Sequence, residues 1–528
     1  MWKFIYTLLP KQIKHMQKES RVKKTMLNAK VNLICYFASF ITAFFTRKIL
    51  LDQLGAEFIG FTGTVGSLLS FLNLAELGIG TAIGYVLYKP IADGDKFKIN
   101  EVISVLGYLY RIIGLVILSL GIIGSLFLPL IFPDTEIPLG VIYFAFYAYL
   151  AASMIGYFVN YHAALLSADQ RNYIVTGYFQ IIGTSKVILQ MILAIHFGSF
   201  YIYFAIELIG GIINAKILNW KINKTYPWLK SEIKQGKQLF KKYPEIIKYT
   251  KQIFAHKVGG LVQGQLTPFL IYSFVSLPMV ALYTNYTILT QKLEGLISGV
   301  INSTGAAIGN LIAEGDKSKI QKVFRELLAI RIFIASLVGI CIYKFASPLV
   351  GVWVGNEYIL DKTTVALIAI LSGLGIARGI IDQFIHGSGL YGDIWAPYVE
   401  SAIMLAVSLT CGSIWGLPGV LCGSLASIIL IIYIWKPYYL FSRGFKLSVF
   451  KYWKLFAINI SASSIAFLVT DYIYETFIHC HIPTDNWGGI IACGVIYCII
   501  IVTLTACIYY IVSAGFRDFL HRSKLFKK

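Results

Sequence analysis

The sequence predicts an all-α polytopic membrane protein of about fourteen transmembrane helices. They form two six-helix lobes related by a pseudo-two-fold axis, with an extra helix pair at the C-terminal end. Three observations carry this prediction. First, 57% of the 528 residues are hydrophobic and only 14% charged, whereas a soluble domain carries roughly 25% charged residues. Second, apolar runs long enough to cross a bilayer recur from end to end without strand-like alternation, and in lipid only helices or closed barrels satisfy the backbone. Third, part of the chain is repeated.

The repeat is clearest in the glycine-laced stretch Leu54–Lys98, which reads as one long helix ending in a short charged loop. At a constant offset Ala56, Phe58, Phe61, Thr62 and Leu68 fall on Ala281, Tyr283, Tyr286, Thr287 and Leu293. Gly80, Ala82, Ile83 and Gly84 fall on Gly305, Ala307, Ile308 and Gly309. After about one helical turn drops out, the loop IADGDKFKI (91–99) meets IAEGDKSKI (312–320). Each copy holds an even number of spans, so both have the same orientation, as in transporters built from parallel repeats.

In chain order, residues 1–26 read as a basic amphipathic segment on the cytoplasmic membrane surface. The N-terminal lobe follows at 27–222, with spans at 27–49, 56–86, 104–131, 139–166, 173–197 and 200–220. A lysine-rich cytoplasmic linker at 223–250 carries the charge expected to meet anionic headgroups. The C-terminal lobe occupies 251–440, with spans at 252–275, 279–311, 324–349, 363–387, 395–414 and 417–435. Residues 441–528 hold the added pair, 453–473 and 487–513, and a basic cytoplasmic tail.

The net charge of +20 comes from 46 Lys and Arg against 26 Asp and Glu. Most of these cations fall in alternate loops. By the positive-inside rule both termini are then cytoplasmic, and the excess follows membrane topology rather than nucleic acid. No Walker A or GxSxG pattern occurs, and no loop is long enough for a soluble catalytic domain, so an enzyme is not expected. Seven cysteines lie in apolar segments, and the His479-Cys480-His481 triplet cannot by itself supply a coordination shell. Neither a metal nor another cofactor is expected.

Charge inside the membrane is the informative signal, because it is costly there and normally faces a partner or a wet cavity. Lys292 and Arg378 are cations within spans, and Glu76, Glu207, Asp382 and Glu400 are acids suited to binding a coupling proton or sodium ion. Lys292 is expected to pair with Glu294, and Arg378 with Asp382 one turn on. Arg111, Lys186 and Arg331 sit near span ends, where long side chains snorkel. Arg47 and Lys48 break the positive-inside pattern on the outer side. Cavity cations suit an anionic substrate, Arg through its planar fork and Lys as a point charge.

The segment LGAEFIGFTGTVGSLLSFLNLAELGIGTAIG resembles the N-terminal region of Wzx-type polysaccharide flippases of the multidrug/oligosaccharidyl-lipid/polysaccharide (MOP) exporter superfamily. The marks are Leu54-Gly55, Phe58 to Gly60 and Leu77-Gly78-Ile79-Gly80-Thr81-Ala82. The resemblance implies alternating-access movement of an undecaprenyl-diphosphate-linked oligosaccharide across a bacterial inner membrane, for O-antigen, capsule or exopolysaccharide assembly. Its implied partners are that lipid-linked substrate, membrane lipids, and the polymerase and glycosyltransferases of the pathway. In that superfamily spans 1, 2, 7 and 8 line the cavity, and Lys30, Arg47, Lys48, Lys257 and Lys292 fall on those spans here. The alternatives are a multidrug or cation antiporter of the MATE type and a membrane polysaccharide polymerase or ligase.

Overall fold

The computed structural model describes residues 21–72, 78–133, 135–301, 305–390, 392–478 and 485–522. It contains helices and no strand among these residues. The N-terminal lobe comprises α1 (Arg21–Leu72), α2 (Ile79–Asp93), α3 (Lys96–Ser125), α4 (Leu139–Phe158), α5 (Asn172–Phe197) and α6 (Phe200–Thr225). The second lobe comprises α7 (Glu245–Phe274), α8 (Leu277–Ile301), α9 (Gly305–Glu314), α10 (Lys317–Trp353), α11 (Lys362–Gly387), α12 (Ala396–Trp415) and α13 (Leu417–Phe445). The added pair is α14 (Phe450–Phe477) and α15 (Trp487–Val512), followed by the short α16 (Ala514–Arg522).

Among the described residues, eleven helices are long and apolar enough to cross a membrane. The expected fourteen is reached when α1 is read as two segments meeting at Gly55 and the more polar α7 and α8 are added. Gly55 has φ 83° and ψ 166°, which breaks the helix and turns the chain back. A side chain there would be strained, and Gly is the residue that tolerates it.

The stretch after Leu54 is not the single long helix expected. It is broken at Gly78, whose φ of 96° lies in the left-handed region just before α2 begins at Ile79. Glu76 lies outside the described residues. In the partner stretch the described residues are α8, up to Ile301, and α9, from Gly305. The twin loops have one physical explanation. Gly94 (φ 69°) and Gly315 (φ 77°) take the left-handed conformation between helices. Asp95 then caps α3 by accepting from Lys98 N at 3.0 Å, and Asp316 caps α10 by accepting from Ser318 N at 2.9 Å and Lys319 N at 3.1 Å.

The lobes meet along α1, α2, α7 and α8. At the Gly55 end, α1 and α8 touch so closely that a Cβ on Gly60 would lie 1.9 Å from Leu277 O. Phe44 stacks on Trp353 at 4.6 Å there, and Trp353 Nε1 donates to Phe44 O at 2.9 Å. At the opposite end Gly78 packs on Thr250 and Ile253, and Tyr85 approaches Tyr249 at 5.9 Å. The lobes are thus in contact at both ends of the seam.

The segment between the lobes is fastened to α3. Glu101 accepts two bonds from Lys242 Nζ at 2.8 Å and one from Tyr243 OH at 2.6 Å. Lys230 N donates to Asn100 Oδ1 at 2.9 Å, and Glu232 N to Ser104 Oγ at 2.8 Å. Its lysines 234, 237 and 241 remain exposed. The added pair docks on α10: Lys344 pairs with Asp471 and Glu475 of α14. Arg325 and Glu326 of α10 pair with Asp518 and Arg522 of α16.

Candidate functional site

A cavity of about 370 Å³ lies beside the lobe seam, lined by α1, α5, α6 and Ile288 of α8. Its wall carries the hydroxyls of Ser39, Thr42, Thr46, Thr62 and Thr184, the amide of Gln180, and the cations Arg47 and Lys186. Apolar helices bring these groups together because each presents its few polar residues inward, where water or a polar ligand can satisfy them.

Arg47 is not a free cation in this conformation. Its Nη2 donates to Ala281 O at 2.7 Å and Thr284 Oγ1 at 2.6 Å, and its Nε donates to Asn285 Oδ1. All three acceptors belong to α8, so Arg47 ties the first lobe to the second. Asn285 is fully buried, and its Nδ2 has no hydrogen-bond partner among the described residues. Sequence reading missed Asn285; the polar run Thr284-Asn285-Tyr286-Thr287 inside an apolar span was the available signal.

Lys292 of α8, in the other lobe, does not line this cavity but bonds to one of its wall residues. Its Nζ donates to Ser39 Oγ at 2.7 Å and lies 5.3 Å from the centre of the Tyr36 ring, while Tyr36 OH donates to Lys292 O. The expected Lys292–Glu294 pair is not formed. Residues two apart point to different sides of a helix, and Glu294 instead accepts from Ser372 of α11.

Lys186 does not snorkel. Its Nζ forms an ion pair with Glu207 at 2.5 Å, and Gln190 Nε2 donates to the other Glu207 oxygen at 3.1 Å. Arg47 and Lys186 on the wall, and Lys292 bonded to Ser39 of it, outnumber Glu207, the acid paired with Lys186.

The remaining sequence candidates lie elsewhere. Lys30 is exposed near the start of α1. Lys48 is exposed, forms an ion pair with Asp52 at 3.3 Å, and reaches Val354 O at 3.4 Å. Lys257 is on α7, and its side chain lies outside those described. Arg378 and Asp382 are paired at 3.5 Å inside the second lobe, where Lys436 also binds Asp382 at 2.5 Å. Glu400 of α12 is buried and electrostatically coupled to Arg378. Arg331 is 2% exposed rather than snorkelling, and its Nη1 donates to Ile376 O at 3.2 Å. This ionic cluster is separate from the cavity beside the seam. The His479-Cys480-His481 triplet lies outside the described residues.

No known family profile matches the chain, and no curated protein matches it in sequence. Solved structures do match in shape. A lipid II flippase, MurJ, in an inward closed conformation superposes with a TM-score of 0.66 at 13% identity, covering 94% of this chain and 100% of that one. An inward-facing multidrug resistance MATE family transporter of the MOP superfamily superposes with a TM-score of 0.59 at 15% identity, covering 78% of this chain and 97% of that one. This multi-pass membrane chain has the fold shared by MurJ and the MATE transporters of the MOP superfamily.

Proposed function

We propose that the protein is a flippase that moves a lipid-linked, negatively charged headgroup across a bacterial inner membrane by alternating access between its lobes. The cargo best suited to the residues is an undecaprenyl-diphosphate-linked oligosaccharide of a surface polysaccharide. The observation that carries this reading is that Arg47 and Lys186 line one cavity at the lobe seam, with Lys292 of the other lobe bonded to Ser39 of its wall. A diphosphate needs such a cationic pocket, and Arg supplies a two-pronged donor once it leaves its bonds to α8. The likeness to MurJ, itself a lipid II flippase, favours a lipid-linked cargo. A MATE-type exporter of organic cations fits less well, because this cavity offers more cations than acids.

A cavity of about 370 Å³ is too small for an oligosaccharide, and the seam is closed at both ends. Loading therefore requires one end to open, which places Arg47 and Gly60 at the moving contact. Both termini lie in the cytoplasm in this reading. A proton or sodium gradient drives return, with Asp382, Glu400 and Glu207 as the acids available, and the pathway's glycosyltransferases and polymerase supply and consume the cargo. The test is a strain depending on this protein for surface polysaccharide. Arg47→Ala, Lys186→Ala and Lys292→Ala should each reduce surface polymer and build up lipid-linked oligosaccharide inside. Normal polymer in all three variants would overturn the reading.

A further inference from the structure

A second cavity, of about 500 Å³, lies between the first turns of α10, the end of α13 and the start of α14. Its floor is apolar: Phe324, Phe441, Phe445, Leu447 and Leu455. Four cations line it, Lys322 and Arg325 from α10 and Lys451 and Lys454 from α14, and no carboxylate lines it among the described residues. Asp518 takes one Arg325 nitrogen, but Arg325 Nε is buried without a hydrogen-bond partner among the described residues. Lys322, Lys451 and Lys454 are exposed and form no ion pair among the described residues.

We propose that this cavity binds the headgroup of an anionic phospholipid from the leaflet on the linker side, the cytoplasmic leaflet in the topology above. A free anion would need only the cations. The ring-lined floor and the neighbouring Phe450, 78% exposed beside Lys451, supply the apolar contact and interfacial anchor that a lipid requires. The volume falls within the range of roughly 300–1,000 Å³ typical of small-ligand sites. The site spans α10 of the second lobe and α14 of the added pair, so a bound lipid would bridge the two.

The experiment is native mass spectrometry of the purified full-length chain with phosphatidylglycerol or phosphatidylcholine. Phosphatidylglycerol should bind preferentially, and the Lys451→Gln/Lys454→Gln double variant should weaken it about thirtyfold, at about fivefold per basic residue. A Lys362→Gln control at the exposed first residue of α11 should bind as the parent does. Neither lysine of the double variant holds an internal partner, so the substitutions disturb no packing contact. Undiminished phosphatidylglycerol binding by the double variant would overturn the proposal. Equal binding of both lipids would do the same. So would complete displacement of phosphatidylglycerol from the parent by millimolar inorganic phosphate, which would assign the pocket to a free anion. The readout is binding alone and stands independently of transport.

Discussion

Arg47 of the first lobe and Asn285 of the second are joined by a hydrogen bond from the guanidinium Nε to the amide Oδ1 across the seam. Arg47 thereby uses in this conformation the donors that the proposed diphosphate cargo would take in another. The Asn285→Ala variant should weaken closure of the Gly55 end by roughly 1.5–3 kcal/mol, the usual worth of a hydrogen bond to a charged group. A cysteine placed at Thr46, in a background lacking the native cysteines, should then react faster with a membrane-impermeant maleimide. An unchanged rate would show that the bond does not hold the seam.

Among the described glycines Gly60 lies nearest the other lobe, its would-be Cβ lying 1.9 Å from Leu277 O. The obstacle is backbone, which cannot swing aside. Gly60→Ala should cost the closed seam about 2 kcal/mol and shift the open-to-closed ratio roughly thirtyfold. Spin labels on the Gly55 ends of α1 and α8 would report a longer mean separation, and transport should fall with it.

Lys186 and Glu207 are each about four-fifths buried, with side-chain exposures of 20% and 18%. Removing one leaves the other's charge partly desolvated. Lys186→Ala and Glu207→Ala should each destabilise the fold by about 2 kcal/mol, between the limits for exposed and buried pairs. The double variant should lose less than the sum of the two. Additive losses in a thermal-unfolding cycle would show that the pair is not coupled.

His162, in the turn after α4, contacts Ser231 Oγ of the linker at 2.9 Å. Burial lowers its pKa from 6.5 to about 4. The docked state therefore holds fewer protons than the undocked one between these values. The docking contribution is complete above pH 6.5 and is lost as pH falls towards 4. Hydrogen exchange over residues 226–244 should accelerate across that window, and His162→Gln should flatten the dependence.

Much of the architecture was legible because composition and repetition act locally. Apolar runs specify membrane helices whatever they pack against. The twin GDK loops announce themselves because a left-handed Gly and a capping Asp are required wherever such helices join. The break at Gly78 was not legible, since the apolar pattern continues through it.

The site was legible only as an inventory of charges. Sequence placed Arg47, Lys186, Lys292, Glu207 and Asp382 inside or beside the membrane and, of these, paired only Asp382 correctly, with Arg378. Lys292 and Glu294 looked like partners by proximity, yet they point apart. Arg47 found Asn285 on a helix of the other lobe, and Lys186 found Glu207 on the next helix. Hydropathy determined that these segments lie in the bilayer, because transfer energy depends on composition. Which charges meet was decided by the rotation and crossing of the helices, which only the packing of side chains between distant segments sets.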